Sequence, residues 1–280
     1  MFKKGRASRG YTLMAAPYGI WMTIFIVVPL FMVFYYGLTS SDGTFTLSNI
    51  RSIAEPVHFK ALQLAILLSI VSTVICFLIA YPLAMILASS AKRRHSEGQG
   101  FIITIFILPM WMNFLLRTMA WMTLLEGKGV INAILSFLHL PTQHLINTPS
   151  AIVLGMVYNF LPFMVLPLFN AIMKIDPFVM EAALDLGANR IQAFFKVTLP
   201  LTVNGIISGV TMVFIPALTT FAISTLLGGS KILLIGNVIE SSFMQTYDWH
   251  LGSGLSIVLM IFIILNMVIS GISDAREGEA

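Results

Sequence analysis

Charged side chains are scarce in this sequence, and the place where they gather is the first clue to its chemistry. Glu181, Asp185, Arg190 and Lys196 share one short stretch, EAALDLGANRIQAFFKVTLP, interleaved with Ala, Leu, Ile and Phe. Mixed charges beside apolar side chains suit docking against another protein surface. They do not suit catalysis, and no catalytic residue is expected. The chain has no G-x-x-x-x-G-K-S/T loop with which to cradle ATP phosphates. It has no H-E-x-x-H pattern and no Cys/His cluster, so no metal ligand is expected either. His58, His95, His139, His144 and His250 lie in or beside loops and mostly read as surface residues. A second set of polar groups sits inside apolar stretches: Trp111, Asn113, Arg117, Tyr158 and Asn159. These are candidates for lining a path through a membrane. For Trp111, Asn113, Tyr158 and Asn159, a packed aromatic or a satisfied interior amide is the plainer reading. Arg117 either snorkels to headgroups or faces a water-filled path.

The elements that carry these residues follow from composition. Apolar residues make up 58% of the chain and charged ones 10%, where a soluble protein carries about 25% charged residues. A bilayer must therefore replace water over much of the surface. Its core of ~30 Å needs about 20 apolar residues per helix, with every backbone group paired internally. The apolar runs are continuous rather than alternating, which excludes a barrel. The fold class is all-α and polytopic, with six transmembrane helices at about Ala16–Leu38, Ala61–Ala88, Phe101–Leu125, Ser150–Met173, Asn204–Leu227 and Leu251–Gly271. The first follows Lys3, Lys4, Arg6 and Arg9 but is too long for a signal peptide, so it reads as an uncleaved anchor. Cys76 is the single cysteine, which rules out an internal disulfide.

Loop charge sets the orientation. Lys92, Arg93, Arg94, Lys174, Arg190, Lys196 and Arg276 fall on the same side as the N-terminal cluster, eleven cations in all. Arg51, Lys60, Lys128 and Lys231 are the four opposite. The positive-inside rule puts both termini and the Glu181 loop in the cytoplasm. On the outer side, Val130–Leu140 and Lys231–Phe243 are apolar but too short to span; each reads as an interfacial or re-entrant piece that caps a cavity or, as is commoner, packs on neighbouring helices. Pro29, Pro82, Pro109, Pro162, Pro167 and Pro216 are expected to kink spans unless neighbours compensate. GIISG, Gly205 to Gly209, is a small-xxx-small pattern expected to meet another helix. Asp and Glu are nearly absent from the spans. This weakens an ion-coupled carrier without excluding it, because backbone carbonyls also bind sodium.

The opening stretch can be read residue by residue. Asp176 is placed as an N-cap, with Pro177 at the first helical position. Phe178, Ala182 and Leu186 then share an apolar face. Gly187 is placed to end the helix in a left-handed conformation. A second helix over Asn189–Val197 presents Ile191, Phe194 and Phe195. The mixture of charge signs argues against a lipid-surface helix and for docking in a groove of a cytoplasmic partner.

EAA at 181–183, Gly187, nine further residues, Val197, and Leu199–Pro200 resemble the signature of permease subunits of binding-protein-dependent ABC importers. Val197 stands where the signature usually has Ile. The resemblance implies a type I importer membrane domain over 1–280, with a cytoplasmic coupling loop at 174–203. In that loop Glu181, Ala182, Ala183, Gly187, Leu199 and Pro200 would couple to an ATPase. It implies a bacterial cell membrane location, a heterodimer with a second permease subunit, two ATPase subunits and an extracytoplasmic substrate-binding protein. Membrane lipid is a partner and nucleic acid is not. ATP and magnesium would be bound by the ATPase, leaving no cofactor in this chain. AYPLAMILA (80–88), ILPMWMNFLLRT (107–118), LPFMVLPL (161–168), LLIGNVIESSF (233–243) and DWHLGSG (248–254) are similar to the spermidine/putrescine branch of these permeases. Permeases for other amines share some of them. An aromatic face such as Trp111 could bind an ammonium group. An ion-coupled carrier, a membrane enzyme and an assembly scaffold are the other classes weighed.

Overall fold

The computed structural model describes residues 9–93, 104 and 108–277. Among these residues the chain is helical, and β pairing is confined to a bridge between Thr39 and Phe45. The helices are α1 (Arg9–Met22), α2 (Val28–Gly37), α3 (Ser48–Arg51), α4 (Pro56–Arg93), α5 (Phe114–Leu125), α6 (Val130–Phe137) and α7 (Pro149–Lys174). They continue with α8 (Pro177–Asp185), α9 (Arg190–Ala193), α10 (Leu199–Leu201), α11 (Val203–Thr219), α12 (Ala222–Gly228), α13 (Ile235–Met244) and α14 (Trp249–Glu277).

Among the described residues, four stretches are long and apolar enough to cross a bilayer: Ala16–Gly37, Pro56–Lys92, Pro149–Lys174 and Trp249–Val268. A fifth arises if Arg190–Leu201 and Val203–Thr219, bent by 66°, count as one. The expected span Asn204–Leu227 is interrupted, because α11 stops at Thr219 and α12 restarts at Ala222. The start of the expected third span, residues 101–103 and 105–107, lies outside those described. Its remainder is a 3-10 turn, Leu108–Trp111, followed by α5. Twelve residues of α5 rise only about 18 Å, short of the ~30 Å core.

The prolines interrupt less than expected. α4 runs through Pro82, α7 through Pro162 and Pro167, and α11 through Pro216. Two other prolines have a clearer mark. A π-helical turn, Thr23–Val27, comes just before Pro29, and another, Phe194–Thr198, just before Pro200. A widened turn accommodates a ring that has no N–H and crowds the carbonyl four residues back.

The chain groups into two units, Met1–Pro56 with Ile239–Ile261, and Val57–Val238 with Phe262–Ala280. In the first, the side chains of Ala16–Gly37 are largely uncovered, as suits an anchor in lipid. At the end of α2, Asn49 Nδ2 donates to the Thr39 carbonyl at 2.9 Å. His250 Nδ1 lies 2.6 Å from the same oxygen and 3.0 Å from that of Tyr36. Both neighbours are carbonyls, so Nδ1 carries the proton. His250 is thus a half-buried structural tie and His58 is buried, two exceptions to the surface reading of the histidines.

The second unit is organised around α7. One side of α4 is a seam of small side chains, including Ala65, Ser69, Ser72, Cys76, Ala80, Ala84 and Ala88, all buried. The seam meets α7 where Ser72 Oγ donates to Met156 Sδ at 3.3 Å and Cys76 Sγ lies 3.8 Å from the Val157 carbonyl. α11 closes on α7 through the GIISG pair, as expected. A Cβ on Gly205 would stand 2.5 Å from that of Ala171, and one on Gly209 2.7 Å from Met164 Sδ. Small residues let two rods approach this closely, and dispersion rather than water release then holds them in lipid. The two short apolar pieces also pack. Leu234, Ile235 and Val238 are buried at the start of α13. Asn237 fixes that start: its Nδ2 donates to the Phe221 carbonyl and Thr225 Oγ1, and its Oδ1 accepts from the Leu234 amide. α6 packs on α5 and is pinned by buried Asn132, yet leaves Ile134 and Phe137 exposed.

Candidate functional site

The Glu181 segment folds as two short helices around a glycine joint. Asp176 Oδ1 accepts from the Phe178 amide at 2.9 Å, and Pro177 occupies the first helical position of α8, where a missing N–H costs nothing. Gly187 has φ +87°, the left-handed conformation that ends this helix. Asn189 and Gln192 then form a reciprocal capping box at the start of α9. The N-x-x-Q spacing is present in the sequence and could have located this cap. Phe178 and Leu186 are 74% and 89% exposed. Ile191 and Phe195 are also uncovered. Phe194 turns inward instead, with its ring edge-on to Tyr81 at 5.4 Å. The segment therefore presents apolar side chains away from its own chain. Glu181 and Ala182 are exposed with them, Ala183 and Leu199 are half-buried, and Pro200 is exposed.

This segment is tied to the long helices at both ends. At its entry, Lys92 Nζ donates to the carbonyls of Ile175 (2.9 Å) and Ile172 (3.3 Å) at the C-terminal end of α7, where a cation is favoured. At its exit, the Thr202 hydroxyl donates to the Thr198 carbonyl at 3.0 Å. Tyr81 therefore supplies the proton of its own 2.7 Å contact with Thr202. Both ties come from α4. Between them lies a cavity of about 340 Å³ bordered by Met85, Lys92, Ile175, Met180, Glu181 and Thr198. A charge-assisted hydrogen bond contributes about 1.5–3 kcal/mol. If the segment couples to an ATPase as the resemblance implies, Lys92→Met is expected to lower coupled transport about tenfold, with Lys92→Arg keeping most of it. Uptake and ATP hydrolysis measured on the same vesicles check this, and wild-type ratios in Lys92→Met would remove the tether from the mechanism.

The five intramembrane candidates do not form one lining. Trp111 is 82% exposed on the 3-10 turn. Asn113 is a helix cap, its Oδ1 accepting from the amides of Leu115 (2.9 Å) and Leu116 (3.4 Å). Tyr158 is partly exposed and edge-on to Trp121 at 5.4 Å. Arg117 and Asn159 are buried, and so Arg117 does not snorkel. Asn159 Nδ2 donates to Thr118 Oγ1 at 3.3 Å and to the Gly155 carbonyl at 2.9 Å. Thr118, which the sequence reading missed, is fully buried and links α5 to α7. A lone threonine beside leucines gave no signal of that role.

The family described as binding-protein-dependent transport system inner membrane component matches residues 80–277. The spermidine/putrescine transport system permease protein PotB of Haemophilus influenzae is 37% identical over 254 residues, covering 88% of this chain and 87% of that protein. The protein of the same name from Escherichia coli K12 is 36% identical over 257 residues, covering 89% and 92%. Among solved structures, a bacterial ABC transporter involved in the import of the acidic polysaccharide alginate has a TM-score of 0.76 at 20% identity. The match covers 96% of each chain.

Proposed function

This chain belongs to the binding-protein-dependent transport system inner membrane components, and we propose that it is a permease subunit of an ATP-driven polyamine importer. It is a multi-pass transport subunit of the type I importer fold and not an enzyme. The observation that carries the importer reading is the capped, glycine-jointed segment with its apolar side chains turned outward. Such a surface transmits force to a separate ATPase, which binds ATP and magnesium. Loop 174–203, through Glu181, Ala182, Ala183, Gly187, Leu199 and Pro200, is the part pushed. Substrate identity rests on the two spermidine/putrescine relatives.

The working cycle uses one membrane domain over residues 1–280, with a sixth crossing at 101–125 that is broken near Asn113. Both termini lie in the cytoplasm of a bacterial cell. An extracytoplasmic binding protein delivers the substrate to a path between this chain and a second permease. Two ATPase subunits close on ATP, push the loops of both permeases, and switch access from outside to inside. Trp111, Arg117, Tyr158 and Asn159 border or brace that path, and Asn113 caps a helix beside it.

Purification from the native membrane tests the class, and ATP-dependent uptake of labelled spermidine into vesicles tests the substrate. Co-elution of an ATPase and a second permease is expected, with putrescine competing for uptake. Uptake driven by an ion gradient without ATP would replace the reading with a secondary carrier. A different amine that outcompetes both polyamines would keep the importer and change its substrate.

A further inference from the structure

Arg117 brings a full charge into surroundings that leave its Nε unanswered. The residue is 8% exposed, and its Nε is closed to solvent with no hydrogen-bond partner among the described residues. Asn159 is 1% exposed, and its Oδ1 is likewise buried and unpartnered. Thr118, next to Arg117 in the chain, receives the Asn159 amide and gives its own proton to the Phe114 carbonyl at 3.0 Å. One polar cluster on α5 and α7 thus contains a donor and an acceptor that are both unmet.

The described helices packed on α5 do not supply the missing group. α5 packs on α6, α7 and α12, and none of these three helices contains an Asp or Glu. Glu126, just past the end of α5, is nine positions on, about 13 Å of helical rise away. Lipid tails cannot supply it, and the flanking surface is oily, with Leu115, Leu116 and Met119 exposed. The substrate class proposed above cannot supply it, because a polycation is repelled by a guanidinium. Ionisable residues in membrane segments pair with one another or line aqueous routes. The planar guanidinium fork matches a carboxylate bidentately.

We propose that Arg117 is one half of an ion pair between subunits, and that its partner is an Asp or Glu on a membrane helix of the second permease. A guanidinium has five N–H donors. It can therefore hold the incoming carboxylate and also serve Asn159 Oδ1, completing the cluster on assembly. The proposal rests on the heterodimeric importer reading. It adds that the two permeases recognise each other by charge within the membrane, and that the pair keeps a net positive charge away from a path for cations.

The test uses the assembled transporter. Arg117→Glu is expected to insert normally, while recovery of the second permease with it falls about tenfold or more and uptake is lost. In that background, membrane-embedded Asp and Glu residues of the second permease are changed to Arg one at a time. One such change is expected to restore both assembly and uptake, although alone it is as damaging as Arg117→Glu. Arg117→Lys, which keeps the charge without the fork, is expected to be intermediate. The ion pair is overturned if Arg117→Glu and Arg117→Gln assemble and transport as wild type, or if no exchanged residue restores them. It is also overturned if Arg117→Glu defects follow the anionic lipid content of the vesicles, which would make a headgroup the partner. If no second permease co-purifies with the wild-type chain, the heterodimer reading itself fails. That result is distinct from an intact complex indifferent to Arg117.

Discussion

Gly187→Val is expected to abolish ATP-driven uptake while the chain still inserts and still binds its second permease. The reason is confined to the backbone. Gly187 has φ +87°, and a Cβ built there meets no atom within 4 Å, so crowding plays no part. An L-residue in the left-handed region costs roughly 1–2 kcal/mol, and a β-branched one is a genuine outlier there. The joint between α8 and α9 would relax to an extended or right-handed conformation and turn Phe178 and Leu186 away from their docking direction. Because about 1.4 kcal/mol is a tenfold change in population, the aligned state becomes a minority before any contact with the ATPase is considered. Gly187→Asn separates conformation from identity, since Asn tolerates this region, and it should keep a large share of transport. Protease protection reports insertion, and labelled-substrate uptake reports coupling. Normal uptake in the Val variant would show that the joint transmits nothing.

Gly205→Leu should fail at an earlier stage, in folding. A Cβ at that position stands 2.5 Å from Ala171 Cβ and 3.0 Å from the Pro167 carbonyl oxygen. Neither neighbour is the flexible end of a long side chain, so relief requires α11 to move away from α7. Overpacking of this kind costs about 1–3 kcal/mol, and lipid offers no solvophobic force to press the helices back together. The expected result is a lower yield of monodisperse protein and a lower melting temperature in detergent. Gly271→Leu, at a position where a Cβ meets nothing within 4 Å, should leave both unchanged. Equal behaviour of the two variants would mean that the close approach of α11 to α7 does not hold the fold together.

Several elements could be read directly from residue order. The stretches Ala16–Gly37, Pro56–Lys92, Pro149–Lys174 and Trp249–Val268 follow from apolar length, a property of sequence that folding does not rearrange. The cap at Asp176 and the left-handed Gly187 depend on local chemistry and match the expectation, as does the GIISG contact. Other features depend on what lies across from a residue. The small-residue seam of α4 hides in an apolar run, because Ala and Ser at a spacing of three or four gain meaning only when α7 faces them. The new start of α5 turns on Asn113, whose amide serves the helix rather than a path. The bend after α10 combines a π turn, Pro200 and the Tyr81–Thr202 contact, whose partners lie 121 positions apart. The unpartnered Nε of Arg117 depends on which helices pack on α5, and residue order does not give that.

Cys76 has a practical consequence for further work. The chain contains one thiol, and the α4 seam encloses it completely against the Val157 carbonyl. Water-soluble maleimides and nitroxide reagents should leave the folded wild-type chain unlabelled. Cysteines introduced one by one would then report only on themselves. Accessibility scanning and spin-pair distances could be collected across the transport cycle without first removing a native residue from the helix contact.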